Sequence, residues 1–182
     1  MSCNVGDEAP EALVEDYDTS EKLSLSWTWA TRPAVLVFQR YFGCPFCQDQ
    51  ISGLVRDRGR FMDAGARVAL IGHGERRAVE LGQHLAPFRA LFDPTRAAYR
   101  AFGLDRGSLM DATGPQVWVP FLKAHRTPGV RQRGLRGGDL RQLPGTFVVD
   151  TDGMIRFAHR NANAADNPSN DAILDVLSEI AG

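Results

Sequence analysis

Cys44 and Cys47, separated only by Pro45 and Phe46, are the residues whose type and spacing offer chemistry. They sit between an apolar run, Ala34-Val35-Leu36-Val37-Phe38, and a stretch from Gln48 to Val55 with helical spacing. A thiol where a strand ends and a helix begins faces free backbone N–H groups and the positive end of the helix dipole. Both favour the thiolate, which is the nucleophilic form. Such a thiolate attacks a peroxide to give a sulfenic acid, or a disulfide to give a mixed disulfide. Cys44, expected to be the more exposed of the pair, is the candidate nucleophile. Cys47, about one helical turn on, is placed to resolve either intermediate. A metal knuckle and plain core packing are the rival readings. One C-x-x-C supplies two ligands where a structural zinc site takes four. None of His73, His84, His125 and His159 makes a second close pair with cysteine, so neither metal nor cofactor is expected.

Arg40, just ahead of the pair, would stabilise a thiolate beside it. A solvated loop arginine is the alternative, and Arg160 could equally be the charge partner. His159 reads as a packing or surface histidine. Tyr41, Phe42 and Phe46 would form an apolar collar around the pair. The run Arg126, Arg131, Arg133, Arg136 and Arg141 fits a solvated charged loop better than an anion site.

The elements that must position these residues follow from pattern. Leu13-Val14 and Leu23 to Trp27 suggest an N-terminal β-hairpin with its turn at Asp16 to Ser20, and Trp27 and Trp29 are expected to cover core. Ala34 to Phe38 suits a central strand buried on both faces. Pro45 is tolerated at a first helical position. Ile51, Leu54, Val55, Phe61 and Met62 form one helical stripe that Gly65 stops. Arg67 to Gly72 is a second buried strand, completing a right-handed βαβ unit. A helix over Glu75 to Leu85, a short strand at Arg89 to Phe92 and a short helix after Asp93-Pro94-Thr95 come next. Thr113 to Ala124 is a weaker helical stretch, broken by Pro120. Thr146 to Asp150 and Met154 to Ala158 form a hairpin around Thr151-Asp152-Gly153. Ser169 caps a last helix with Ile173, Leu174, Leu177 and Ile180 on one face. The order predicts an α/β fold: a mixed central sheet flanked by helices, in the thioredoxin arrangement.

Bulk properties narrow the function. The chain has 182 residues, which suits one domain over 1–182, and 43% of them are hydrophobic. A formal net charge of −1 argues against nucleic-acid binding. No apolar run approaches the roughly 20 residues of a membrane helix, and Met1 to Glu8 carries no secretory pattern. A cytoplasmic protein without membrane contact is expected. Three cysteines, with Cys3 near a terminus, are not a disulfide framework.

The segment Val37 to Cys47 resembles the active site of the AhpC/TSA antioxidant family, the peroxiredoxin-like proteins. Asp93 to Leu104 resembles the family's Asp-Pro, tyrosine, glycine-leucine block. Gln142 to Val149 is similar to its returning strand, and Ala158-His159-Arg160 with Asp166-Asn167-Pro168 to its tail. The resemblance implies a thioredoxin-like fold, peroxide or disulfide as substrate, and thioredoxin or a glutathione-type reductant. It implies a homodimer as a common assembly. It also implies that Pro144, after Leu143, is a cis-proline facing the redox pair and touching substrate through its backbone. One departure stands out. Typical members carry proline seven residues before the reactive cysteine and threonine or serine three before, where this chain has Val37 and Tyr41. The likeness is therefore to the C-x-x-C branch, whose chemistry extends to thiol–disulfide exchange. A thioredoxin- or glutaredoxin-like disulfide reductase and a non-catalytic redox-sensing module are the rival functions.

Overall fold

The structure, a computed structural model, describes residues 3–41, 44–74, 88–108 and 138–182. The helices expected at Glu75 to Leu85 and Thr113 to Ala124 lie outside these residues. So does the arginine run apart from Arg141.

Among the described residues seven strands form one mixed sheet. They are β1 (Leu13–Asp16), β2 (Lys22–Ser24), β3 (Ala34–Phe38), β4 (Arg67–Gly72), β5 (Arg89–Phe92), β6 (Gly145–Val149) and β7 (Ile155–Arg160). Their order is β2-β1-β5-β4-β3-β6-β7. β3, β4 and β5 run parallel, while β6 pairs antiparallel with β3 and β7 antiparallel with β6. The expected N-terminal hairpin forms between β1 and β2, and extends the sheet by pairing β1 with β5. Its second strand is shorter than expected, because Leu25–Thr28 coil into a 3₁₀ turn. Trp29 is buried by that turn, whereas Trp27 is turned to the surface.

β3 is buried throughout, and its alternation divides the core. Ala34, Leu36 and Phe38 face one layer with Tyr99, Phe102 and Phe147, while Val35 and Val37 face the other with Leu54, Phe61, Ile173 and Leu177. Period-two alternation in a strand covered on both faces demands this uninterrupted apolar run. Phe38 anchors the first layer, its ring 5.1 Å from both Tyr99 and Phe102 and 5.8 Å from Phe147.

The helix after β3 is two helices, α1 (Pro45–Arg56) and α2 (Arg58–Asp63). The break falls at Asp57, whose carboxylate accepts a 2.7 Å hydrogen bond from the Asn170 side chain. The restart shifts the helical phase, so Phe61 stays buried while Met62, expected on the same stripe, is 57% exposed. α3 (Ala97–Ala101) is capped from a distance: buried Asp93 accepts from the N–H groups of Ala97 at 3.1 Å and Ala98 at 2.8 Å. Gly103 ends that turn with φ +66°, the left-handed conformation glycine adopts freely. The last helix, α4 (Asn170–Ala181), begins as expected, with the Ser169 hydroxyl accepting from Ala172 N–H.

Candidate active site

β3 delivers the chain to the C-terminal end of the parallel strands, and α1 starts there. Cys44 is the N-cap of α1, with Pro45 at its first turn and Cys47 one turn in. The backbone N–H of Arg40, two residues past β3, donates to the Cys47 sulfur at 3.2 Å. The Cys44 N–H donates to the Tyr41 carbonyl at 3.1 Å, closing the loop between strand and helix.

Both thiols are free, and both are covered. Cys44 is 0% exposed and Cys47 1%, so the expected exposure of Cys44 is not found. Neighbours in sequence and a distant segment cover them together. Tyr41, Phe46 and Ala164 pack around the pair, with Leu140 and Ala165 beside them. Leu140 is fixed by Arg40, whose Nε donates to its carbonyl at 2.7 Å and whose Nη2 donates to the same oxygen. Arg40 is itself only 4% exposed, so it is a buried anchor and not a solvated loop residue. Asp139 holds the same segment: Arg96 reaches it at 2.5 Å and Arg106 at 2.7 Å. Gly138 lies so close to Tyr41 that a Cβ there would sit 2.7 Å from the tyrosine's own Cβ.

The electrostatics separate the two sulfurs. Burial alone pushes the Cys44 thiol up. The Cys47 thiol donating toward it, the Arg40 charge and the Cys47 and Phe46 N–H groups outweigh burial and bring it down to about 7. Those N–H groups act as helix-end dipoles, since the Cys44 side chain completes no capping hydrogen bond. Cys47 is driven well above its ordinary value by burial and by its neighbour's negative charge. Cys44 is thus the sulfur that ionises first, becoming mostly thiolate above neutral pH while Cys47 keeps its proton. Tyr41 is pushed up to about 12, by burial first and the Cys44 charge second, and remains a neutral phenol.

The other expected site residues are distributed as follows. Pro144 is buried immediately before β6, whose Gly145 pairs with Phe38, so it lies at the same sheet end as the cysteines. Its carbonyl accepts from Asn161 N–H at 3.2 Å. Leu143, just before it, is half-buried, and its N–H donates to the Asp105 carbonyl at 3.4 Å. Arg160 is not brought to the pair: its guanidinium donates to the Cys3 and Phe102 carbonyls and lies over the Phe147 ring. Arg40 is thus the charge partner of Cys44 among the described residues. Phe42 falls outside them. No group of three or more His, Cys, Asp or Glu side chains is placed to hold a metal among the described residues.

Several supports carry no sequence signal of their own. A polar chain from Gln39, just past β3, through Gln50 of α1 to Thr146 of β6 ties these elements together. The Tyr99 hydroxyl donates to the Gln39 carbonyl at 2.5 Å and the Ile71 carbonyl at 3.0 Å, pinning the strand ends below the pair. Asn167 donates to the Phe46 carbonyl, fastening the tail loop to the first turn of α1.

The sequence model of the AhpC/TSA antioxidant enzyme family matches residues 53–163. The chain belongs to that family. The matched span opens within α1, after Cys47, so the two cysteines stand just ahead of it. Among curated proteins, human peroxiredoxin-like 2C is 27% identical over 164 residues, covering 80% of this chain and 69% of the relative. Among solved structures, peroxidoxin BcpB from Mycobacterium tuberculosis superposes with a TM-score of 0.67 at 19% identity, covering 98% of each chain. Peroxiredoxin 5 from Alvinella pompejana gives 0.66 at 16% identity, covering 97% and 98%. These likenesses establish the peroxiredoxin/thioredoxin fold for this AhpC/TSA member.

Proposed function

We propose that the protein is a thiol-dependent oxidoreductase in which Cys44 attacks a peroxide and Cys47 resolves the product. The observation that carries this is the divided ionisation of the pair at the start of α1: Cys44 brought down to about 7 beside Arg40, and Cys47 held as the thiol. In the first step the Cys44 thiolate attacks the distal peroxide oxygen. The O–O bond breaks, Cys44 becomes a sulfenic acid, and the leaving alkoxide or hydroxide takes a proton as alcohol or water. In the second, the Cys47 sulfur displaces the sulfenic oxygen. The S–S bond forms and the Cys47 proton leaves with that oxygen as water. An external dithiol of the thioredoxin or glutathione-linked kind, in a cytoplasmic setting, returns the disulfide to two thiols by exchange. The cover over both sulfurs favours a small oxidant such as a peroxide. A second reading, attack on a disulfide, is favoured by Val37 and Tyr41, which stand where a typical peroxidase carries proline and threonine. Pro144 is the residue we assign to substrate contact in either case.

Stopped-flow mixing of the reduced protein with hydrogen peroxide, an alkyl peroxide and a small disulfide tests this. Oxidation by either peroxide faster than free cysteine is the expected result, with sulfenate on Cys44 of a Cys47→Ser variant seen by mass spectrometry. Peroxide rates no higher than free cysteine, with a mixed disulfide on Cys44, would move the assignment to the second reading. An unmodified Cys44 with both oxidants would end both.

A further inference from the structure

A second site lies at the opposite end of the sheet. Arg32 precedes β3, Arg67 opens β4 and Arg89 opens β5. These strands are parallel, so the three guanidinium groups gather at their N-terminal ends. The four steps from Arg67 to Ile71, the partner of Phe38, already span roughly 13 Å, and Cys44 lies beyond that far end. Between the arginines is a cleft of about 370 Å³, whose other walls include Trp27, Met62 and Phe88.

The cleft is cationic, preformed and apolar on one side. The Arg67 guanidinium donates to the Trp27 carbonyl at 2.6 Å and the Thr28 carbonyl at 3.1 Å, and stacks 4.2 Å from the Trp27 ring centre. The Arg89 guanidinium lies 5.6 Å from the same ring and is partly balanced by Asp16 at 3.5 Å. Among the described residues no carboxylate lines the cleft. Among the described residues Arg32 has no ion pair or hydrogen bond, and Arg67 has no carboxylate partner. Burial and the neighbouring charges of Arg32 and Arg89 both lower the Arg67 pKa, in that order, so the cluster carries repulsion that a bound anion would relieve. Beside these charges Met62 is 57% exposed and Trp27 37%, an unusual outlay of apolar surface for a chain whose other large apolar side chains are mostly inside. Guanidinium forks match carboxylate and phosphate oxygens in pairs, and a cleft of this size suits a small molecule.

We propose that this cleft binds a small organic anion, a carboxylate or phosphate ester, whose head is held by Arg32 and Arg67 and whose apolar body lies against Trp27 and Met62. The site is separate from the cysteines, and its test does not read redox activity.

Isothermal titration of the full chain with 1-naphthyl phosphate, 1-naphthoate, inorganic phosphate and neutral 1-naphthol decides it. At least one naphthyl anion should bind saturably at one site, and which of them does so names the head group. Inorganic phosphate and naphthol should each bind at least tenfold more weakly, since each lacks one half of the recognition. Arg32→Gln, an exposed change that breaks no described contact, should weaken the anion about tenfold, the loss of one charge-assisted contact. Added salt should weaken it further. Thermal unfolding of the variant should match wild type. No saturable binding of either naphthyl anion, equal binding of naphthol, equal binding of inorganic phosphate, or an Arg32→Gln variant of unchanged affinity would each overturn the proposal.

Discussion

Replacing Arg40 with methionine tests the electrostatics of the pair directly. Methionine keeps the apolar stem and removes the charge. A unit charge about 5 Å from a thiolate, at an effective dielectric near 20, is worth about 3 kcal/mol, or about 2 pKa units. The Cys44 thiol should therefore rise from about 7 to the neighbourhood of its ordinary value of 9.0. At pH 7 the thiolate fraction would fall from about one half to about one hundredth. The more basic thiolate is also the stronger nucleophile, by about eightfold for two units at a Brønsted slope near 0.45. The net rate with a small neutral disulfide should thus drop about sixfold at pH 7, and exceed wild type by several-fold at pH 10, where both proteins are mostly ionised.

That crossover is the diagnostic result. Arg40 also anchors Leu140 over the sulfurs, so losing it uncovers the pair as well as discharging it. Uncovering raises the rate at every pH and gives no crossover. The measurement is the pH dependence of reaction with 2,2′-dipyridyl disulfide, alongside ultraviolet thiolate absorbance. Arg40→Lys, which keeps the charge with fewer directed hydrogen bonds, should stay near the wild-type titration. An Arg40→Met thiol titrating within about half a unit of wild type, where about two are expected, would refute the assignment of this guanidinium as a main support of the thiolate beside the Cys47 thiol.

Asp139→Asn should loosen the segment bearing Leu140 without touching the charge at Cys44, since it removes the ion pairs to Arg96 and Arg106. Cys44 alkylation should quicken several-fold at pH 9, with about 1 kcal/mol of stability lost in urea unfolding. The reduced thiols also set a pH profile. Cys44, depressed from 9.0 to about 7, binds fewer protons in the fold than in the unfolded chain over that interval, so its contribution grows from pH 7 to 9 and is lost as pH falls through 7. Cys47, raised, keeps its proton in the fold above 9 and opposes further gain there. Urea midpoints of reduced wild type against Cys44→Ser should show the rise only in wild type. His73, held neutral to about 4 by burial and by Arg96, destabilises the fold as pH falls from 6.5, because the unfolded chain takes the proton first. His73→Gln should flatten this acid limb, which is worth up to about 3 kcal/mol, with the midpoints between pH 6.5 and 4 as readout.

The parts of this protein legible in sequence are those decided by neighbours in sequence. β3 is a buried strand because all five of its residues are apolar, and α4 begins at Ser169 because a hydroxyl there can cap it. Cys44 at a helix start follows from the same local logic. What failed to show was decided across long separations. Arg40 and Leu140 are 100 positions apart, yet their contact covers the pair and fixes the charge beside it. Arg40 and Arg160 were equal candidates as charge partners, because spacing does not say to which side of the sheet an arginine turns. The structure commits Arg160 to the Cys3 and Phe102 carbonyls. Asp57, where the helical phase slips and Met62 turns outward, likewise has a distant partner, Asn170 from α4. A C-x-x-C at a helix start thus specifies which sulfur can be nucleophilic. How ionised and how accessible that sulfur is depends on Arg40, Asp139 and Leu140, so substitutions that leave both cysteines in place can still change the chemistry.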